Sequence, residues 1–144
     1  MVQARLHGMR SFITGGSRGI GRAVAERFTA EGAVIIINHF HDDDEAAHTL
    51  ESLKAISTEH GFDATAHRII AADVSDRVSI HQAIDQAVKE TGRLDCLINN
   101  AGIGFRGDFG QDKIELSLKT IDVNNKAPLL LTHRLLSHLR RCGS

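Results

Sequence analysis

The chain has 144 residues, enough for one domain with a single buried core, and 17 Lys+Arg against 18 Asp+Glu leave a formal net charge of −1. With balanced charge and no basic stripe, neither nucleic acid nor an anionic membrane surface is expected as a partner. The longest apolar runs, such as 33–37 and 128–131, are far too short to span a bilayer. Residues 1–8 lack the apolar stretch of a secretory signal, so a cytoplasmic location is expected. Cys96 and Cys142 form neither a disulfide framework nor a zinc pattern, and the composition contains no Tyr and no Trp.

Arg10-Ser11-Phe12-Ile13 predicts a short strand, and residues 20–30 carry apolar positions at helical spacing. Between them lies Thr14-Gly15-Gly16-Ser17-Arg18-Gly19-Ile20-Gly21. A turn without side chains at Gly15, Gly19 and Gly21 lets a ligand and the adjoining strand both approach the main chain closely. The N–H groups of the helix's first turn point at that ligand, and the helix dipole favours negative charge there; a pyrophosphate suits the place. Such glycine spacings also arise by chance in surface loops, so the rest of the chain has to decide.

Gly32 ends the first helix, and 33–38 predicts a second strand, apolar on both faces, as in a parallel sheet covered on both sides. The acidic run 42–45 opens a helix to about residue 60, with Ala46, Ala47, Leu50, Leu53, Ala55 and Ile56 as its apolar positions. With His39 and His41 that run has metal-ligating residue types, but acids at a helix N-terminus already complement its dipole, which is the simpler reading. Gly61 closes the helix, and 64–74 holds a third strand centred on 67–71. Ser75 or Asp76 can cap the next helix, 78–91, with Val78, Ile80, Ala83, Ile84, Ala87 and Val88 inward. Gly92 ends it, and 94–98 predicts a fourth strand in which Cys96 reads as a small buried thiol. A loop, 102–110, precedes a long helical segment, 112–141, that contains the single proline, Pro128. Regular alternation of strand and helix predicts one α/β domain over 1–144, a doubly wound parallel sheet of about four strands with helices on both faces and its ligand site beyond the carboxyl ends of the strands.

Four motifs in order then carry a resemblance: the turn 14–21, Asp73-Val74 after the third strand, Asn99-Asn100-Ala101-Gly102 after the fourth, and Asp122-Val123-Asn124 in the long helix. Together they resemble the short-chain dehydrogenases/reductases, a Rossmann-type family, over nearly the whole chain. The resemblance implies that Gly15, Ser17, Arg18, Gly19, Ile20 and Gly21 face the phosphates and ribose of a nicotinamide dinucleotide. It further implies that Asp73 accepts a hydrogen bond from the adenine amino group with the Val74 backbone beside it, and that the stretch containing Asn99, Ala101 and Gly102 lies along the cofactor. Asn124 matches the family's catalytic asparagine, whose main chain holds a water of the proton relay. Taken singly, an Asp after a strand reads as a helix cap and an Asn within a helix as a solvated or kink-associated residue.

Cofactor choice follows from charge. Sites for NAD place a carboxylate near the end of the second strand, on the adenosine ribose. Asn38-His39-Phe40 has none there, and Arg18 resembles the basic residue that NADP-preferring members direct at the 2′-phosphate. NADP is therefore expected over NAD, although Asp42, Asp43 and Asp44 lie close enough to interfere and Arg18 alone reads as a solvated side chain.

The family transfers a hydride between the nicotinamide and a small-molecule carbonyl or alcohol, with a tyrosine moving the proton, a lysine four residues on, and a serine holding the substrate oxygen. The chain has no tyrosine and stops where the family's fifth, serine-bearing strand would begin. The expectation is a C-terminally truncated, cofactor-binding half that is inactive alone; a non-catalytic nucleotide-binding or interaction protein and a non-functional fragment are the alternatives. An open edge at 94–98 and exposure of parts of Leu116, Leu118, Ile121, Leu129, Leu130, Leu131, Leu135 and Leu136 are expected, as is association with a second copy or a strand-completing partner. Phe105, Arg106 and Phe109 have the placement of a pocket mouth but read more simply as ordinary loop residues. The substrate is not legible, because the family's substrate-shaping segments follow the tyrosine.

Overall fold

A strand apolar on both faces needs a helix layer on each side, and the chain supplies both. The structure is a computed structural model that describes residues 4–105, 107, 110, 113–139 and 141. Its strands, β1 (Arg10–Thr14), β2 (Val34–His39), β3 (Arg68–Ala71) and β4 (Cys96–Ile98), pair in parallel in the order β3-β2-β1-β4. Phe12 lies opposite Ile36 and Leu97, so β1 is central and β4 forms an edge.

Side chains alternate across each strand. Ile13, Ile35 and Ile37 pack against Ala25 of α1 (Gly19–Ala30) and Leu53 of α2 (Asp43–His60). On the other face, Phe12, Ile36 and Ile70 meet Ile80, Ala83, Ile84 and Ala87 of α3 (Arg77–Thr91) and Ala127, Leu131 and Leu135 of α5 (Ala127–Leu139). The sheet is doubly wound, as the alternation of elements predicts.

Three details of the helices differ from the sequence reading. The buried stripe of α2 is Ala46, Thr49, Leu53 and Ser57, while Ala47 and Ala55 face solvent. Two members of that stripe are polar and take part in hydrogen bonds inside the protein, so choosing apolar residues rotates the helix away from its true inner face. Val78 is 65% exposed, because it lies two positions before Ile80 and thus about 200° around the helix from it. The third detail concerns 112–141. α4 (Ile114–Ile121) gives way to a π-helical turn, Asp122–Lys126, before α5, and the Ala127 N–H reaches back five residues to the Asp122 carbonyl. Pro128 brings no N–H with which to close an α-type bond onto the Asn124 carbonyl, so it belongs at this break rather than within a regular helix.

Burial adds two more corrections. Leu131 and Leu135 are in the core, while Leu116, Leu118, Ile121, Leu129, Leu130 and Leu136 are exposed as expected. Cys96, on the edge strand, is only partly buried, and that burial pushes its thiol pKa up; Cys142 lies outside the described residues. Among the described residues no helix is long and apolar enough to cross a membrane.

Asp76, one of the two proposed caps, is the one used: its Oδ1 accepts from Val78 N at 2.8 Å and Ser79 N at 3.0 Å. Asp76→Ala is expected to lower unfolding free energy by about 1 kcal/mol, read from denaturant melts; an unchanged midpoint would contradict the cap.

Candidate functional site

The turn after β1 is held from two sides. On one, Asn100 donates its side-chain amide to Thr14 O (3.0 Å) and Gly15 O (2.9 Å), while the Asn100 and Ala101 backbone N–H groups both donate to Thr14 Oγ1 at 3.0 Å. On the other, Thr49 Oγ1 donates to Ser17 O at 2.6 Å, and Ser17 Oγ donates to Asp42 Oδ2 at 2.5 Å. The loop after β4 and the start of α2 therefore fix the turn's shape.

Gly21 shows why the turn needs glycine. A Cβ built there would lie 2.2 Å from Gly15 O and 2.6 Å from Asn100 Nδ2, so the first turn of α1 sits directly against the strand end. Gly19 has φ +57, which disfavours L side chains, with nothing within 4 Å of a Cβ. Arg18, the N-cap residue, makes no side-chain cap bond. The first-turn N–H groups of α1 have no intrahelical partner, and with the dipole they favour an anion. Ile20, beside them, is 77% exposed.

A cavity of about 310 Å³ opens beside this turn, bounded by the ends of β2 and β3, the loop after β4, and α4. Of the residues implied by the resemblance, Gly15, Ser17, Arg18, Asp73, Val74, Ala101 and Gly102 line it. Gly19, Ile20 and Gly21 lie at the helix end outside its lining. Asn99 and Asn124 are also outside it: Asn99 Nδ2 donates to Thr132 Oγ1 at 3.2 Å, and Asn124 exchanges two hydrogen bonds with the Ile103 backbone, accepting at 2.9 Å and donating at 2.8 Å. Asn124 thus ties the π-helical turn to the loop after β4, a kink-associated position. Phe105 is partly exposed, and Arg106 and Phe109 lie outside the described residues.

The cavity's charges are paired. Asp42 Oδ2 lies 3.5 Å from Arg18 Nε, because His41 (φ +54) turns the chain back toward the glycine turn after β2. Asp73 Oδ1 accepts from Ser75 N and Ser75 Oγ at 2.8 and 2.7 Å, and Oδ2 accepts from Lys119 Nζ at 2.9 Å. Partial burial works to raise the Asp73 pKa, but hydrogen bonds from Lys119 and Ser75, with the Lys119 charge, outweigh it and hold the carboxyl below its ordinary range.

Asn100 and Lys119 are the site residues that the sequence reading did not single out; Asp42, expected there to lie close enough to interfere with a 2′-phosphate, lines the cavity and pairs with Arg18. Asn100 sits within the Asn99–Gly102 motif, so it was within reach. Lys119 has no local signal, since its partner is 46 positions away.

Residues 10–144 match the family described as short chain dehydrogenase. Glucose 1-dehydrogenase 2 of Bacillus subtilis is 33% identical over 137 residues, covering 94% of this chain and 50% of that protein. A short chain dehydrogenase from Burkholderia cenocepacia in complex with NADP superposes with a TM-score of 0.84 at 33% identity, over 94% of this chain and 52% of the other. A 3-ketoacyl-(acyl-carrier-protein) reductase from Brucella melitensis complexed with NADH gives 0.81 at 29%, over 96% and 53%. The chain spans about half the length of the curated relatives it matches. With the match over residues 10–144, the four ordered motifs and the parallel sheet β3-β2-β1-β4, the chain belongs to the short-chain dehydrogenase family.

Proposed function

We propose that this chain holds the dinucleotide of an oxidoreductase that transfers a hydride to or from a small carbonyl or alcohol, and that it takes NADP in preference to NAD. The carrying observation is the cradle: an uncapped helix N-terminus, a Gly21 position that a Cβ would fill, and a cavity of about 310 Å³ beside them. In this reading the N–H groups at the start of α1, with Gly15 and Ser17, face the pyrophosphate. Asp73 accepts from the adenine amino group beside the Val74 backbone, and Asn99, Ala101 and Gly102 follow the cofactor toward its nicotinamide. The Asn124 main chain, next to a proline that cannot bond it, is the place for a relay water. When bound, the dinucleotide supplies or accepts the hydride. This chain's own residues bind and orient it; with no Tyr in the sequence, the family's proton-transferring group is not among them.

The choice of NADP rests on Arg18, because one matched structure holds NADP and another NADH. No acid stands at 38–40, but Asp42 pairs with Arg18 and opposes a 2′-phosphate. Arg18→Ala is expected to weaken NADPH binding about tenfold, the worth of one charge-assisted hydrogen bond, and to leave NADH nearly unchanged. Asp42→Asn should strengthen NADPH binding relative to NADH. Equal effects of Arg18→Ala on both nucleotides would remove Arg18 from phosphate recognition.

A further inference from the structure

Thr49 is wholly buried within α2, and its hydroxyl leaves its own helix. Thr29, Thr58, Thr91 and Thr120 each donate to the carbonyl four positions back, the common bond of a helical threonine. Thr49 Oγ1 instead donates to Ser17 O at 2.6 Å. Asp42, about two helical turns earlier, makes no cap bond with its side chain, and its Oδ2 accepts from Ser17 Oγ at 2.5 Å. One helix thus holds Ser17 by its carbonyl and by its hydroxyl. In a planar trans peptide the C=O and the following N–H point in opposite directions, and no described peptide of this chain is cis. Ser17 O is turned inward onto Thr49, which lies outside the cavity lining, so the Arg18 N–H is turned outward, toward the cavity that Ser17 and Arg18 line. Among the described residues that N–H meets no acceptor. It stands on the side of the turn that faces the segment after β2, where Asp42 lies 3.5 Å from Arg18 Nε.

We infer that Thr49 is a positioning residue: by pinning Ser17 O from beneath the turn, it aims the Arg18 N–H at the adenosine 2′-phosphate, so that the preference for NADP rests on α2 as well as on the Arg18 side chain. This deepens the proposed binding of NADP and rests on it. A backbone N–H makes a charge-assisted bond to a phosphate, roughly twice as strong as one to the neutral 2′-hydroxyl of NAD. A correctly aimed N–H therefore separates the two dinucleotides. Without the Thr49 hydroxyl the peptide between residues 17 and 18 loses its fixed orientation, and its carbonyl is free to turn toward the phosphate, acceptor against anion. General loosening of the turn acts differently, because both dinucleotides share the pyrophosphate and both then bind more weakly.

The test is calorimetric titration of the wild-type chain, Thr49→Val and Thr49→Ser with NADPH and with NADH. Thr49→Val keeps the branched shape and removes the hydroxyl, whereas Thr49→Ser keeps the hydroxyl. Thr49→Val should bind NADPH about tenfold more weakly and NADH only about twofold more weakly, while Thr49→Ser should keep the wild-type ratio. A merely structural role would weaken both ligands alike and leave the ratio where it was. Amide NMR of the wild-type chain is the second measurement, with 2′,5′-ADP and 5′-AMP, which differ only in the 2′-phosphate. The Arg18 N–H should move strongly downfield with the first and little with the second. Equal losses of NADPH and NADH binding in Thr49→Val, or an Arg18 N–H unmoved by bound 2′,5′-ADP, overturns the inference alone. A folded wild-type chain that binds both dinucleotides alike, or neither, overturns the reading beneath it as well.

Discussion

Gly21→Ala binds NADPH about 10- to 100-fold more weakly than the wild type, the expected result of forcing a methyl group into a packed site at a cost of about 1–3 kcal/mol. The added carbon would meet Gly15 O at 2.2 Å and Asn100 Nδ2 at 2.6 Å. Neither contact is the far end of a flexible side chain: one is main chain, and the other is an amide already bonded to Thr14 O and Gly15 O. Relief requires α1 to move away from the strand end, which shifts its N–H groups off the proposed pyrophosphate position. Gly19→Ala is the useful contrast. There the Cβ meets nothing within 4 Å and the strain comes from φ +57, about 1–2 kcal/mol. Titration of both variants by nicotinamide fluorescence, with circular dichroism to confirm folding, separates the two sources. Gly21→Ala binding as well as the wild type would mean that the helix end does not contact the ligand.

The second large effect is on stability against pH, and it comes from His67. Its Nδ1 accepts the Ile35 N–H at 3.0 Å and therefore carries no proton, so Nε2–H donates to Ser57 Oγ at 2.8 Å. One neutral ring thus links β2, the segment before β3, and α2. Burial drives its pKa down from 6.5 to about 4, with Arg68 and Lys54 lowering it further and Asp63 opposing them. In the unfolded chain the ring takes up a proton near its ordinary value; in the folded chain it does so only near 4. Between these values the unfolded state binds more protons, so this contribution is fully present above about 6.5 and is lost as pH falls toward 4, by about 2–3 kcal/mol.

His67→Leu should be less stable at neutral pH, since the buried Ile35 N–H loses its acceptor at a cost of about 1–3 kcal/mol. It should also lose most of the slope between pH 6.5 and 4. The lowered carboxyl of Glu31, held at about 2 first by its hydrogen bond from Arg5, withdraws its stabilisation only below its ordinary value of 4.5, and the difference between wild type and variant cancels it. Urea unfolding across pH 4–8 reads both effects. An equal slope in His67→Leu would show that the ring does not titrate as its burial requires.

His67 and its partner also show where the sequence was readable. Strand, turn and helix were legible because Phe12, Ile13 and 33–37 are apolar without interruption and Gly32, Gly61 and Gly92 mark the ends of α1, α2 and α3. The fold followed from that alternation, and the position of the cradle followed from the fold. The inner face of α2 was hidden because Thr49 and Ser57 are buried through hydrogen bonds to Ser17 and His67, which an apolar periodicity cannot register. The π-helical turn was hidden in the same way: Pro128 marks a helix irregularity, but only the backbone shows that the wider turn spans Asp122–Lys126. Lys119 was illegible as a site residue because it acts through a partner distant in sequence, Asp73, and the bonds of Asp42 to Ser17 and Arg18 likewise appear only in the fold, although its nearness to the site was legible. Leu131 and Leu135 look like their neighbours in sequence, and only their contacts with the sheet separate them from Leu129 and Leu130.

The most direct test is a fluorescence titration of the purified wild-type chain with NADPH, its folding confirmed by circular dichroism. Saturable one-to-one binding that is stronger than for NADH is the expected result, because the cradle at Gly21, the charge of Arg18 and the Asp73 carboxylate are all contained in this chain. A folded chain with no saturable binding of either nucleotide would contradict it.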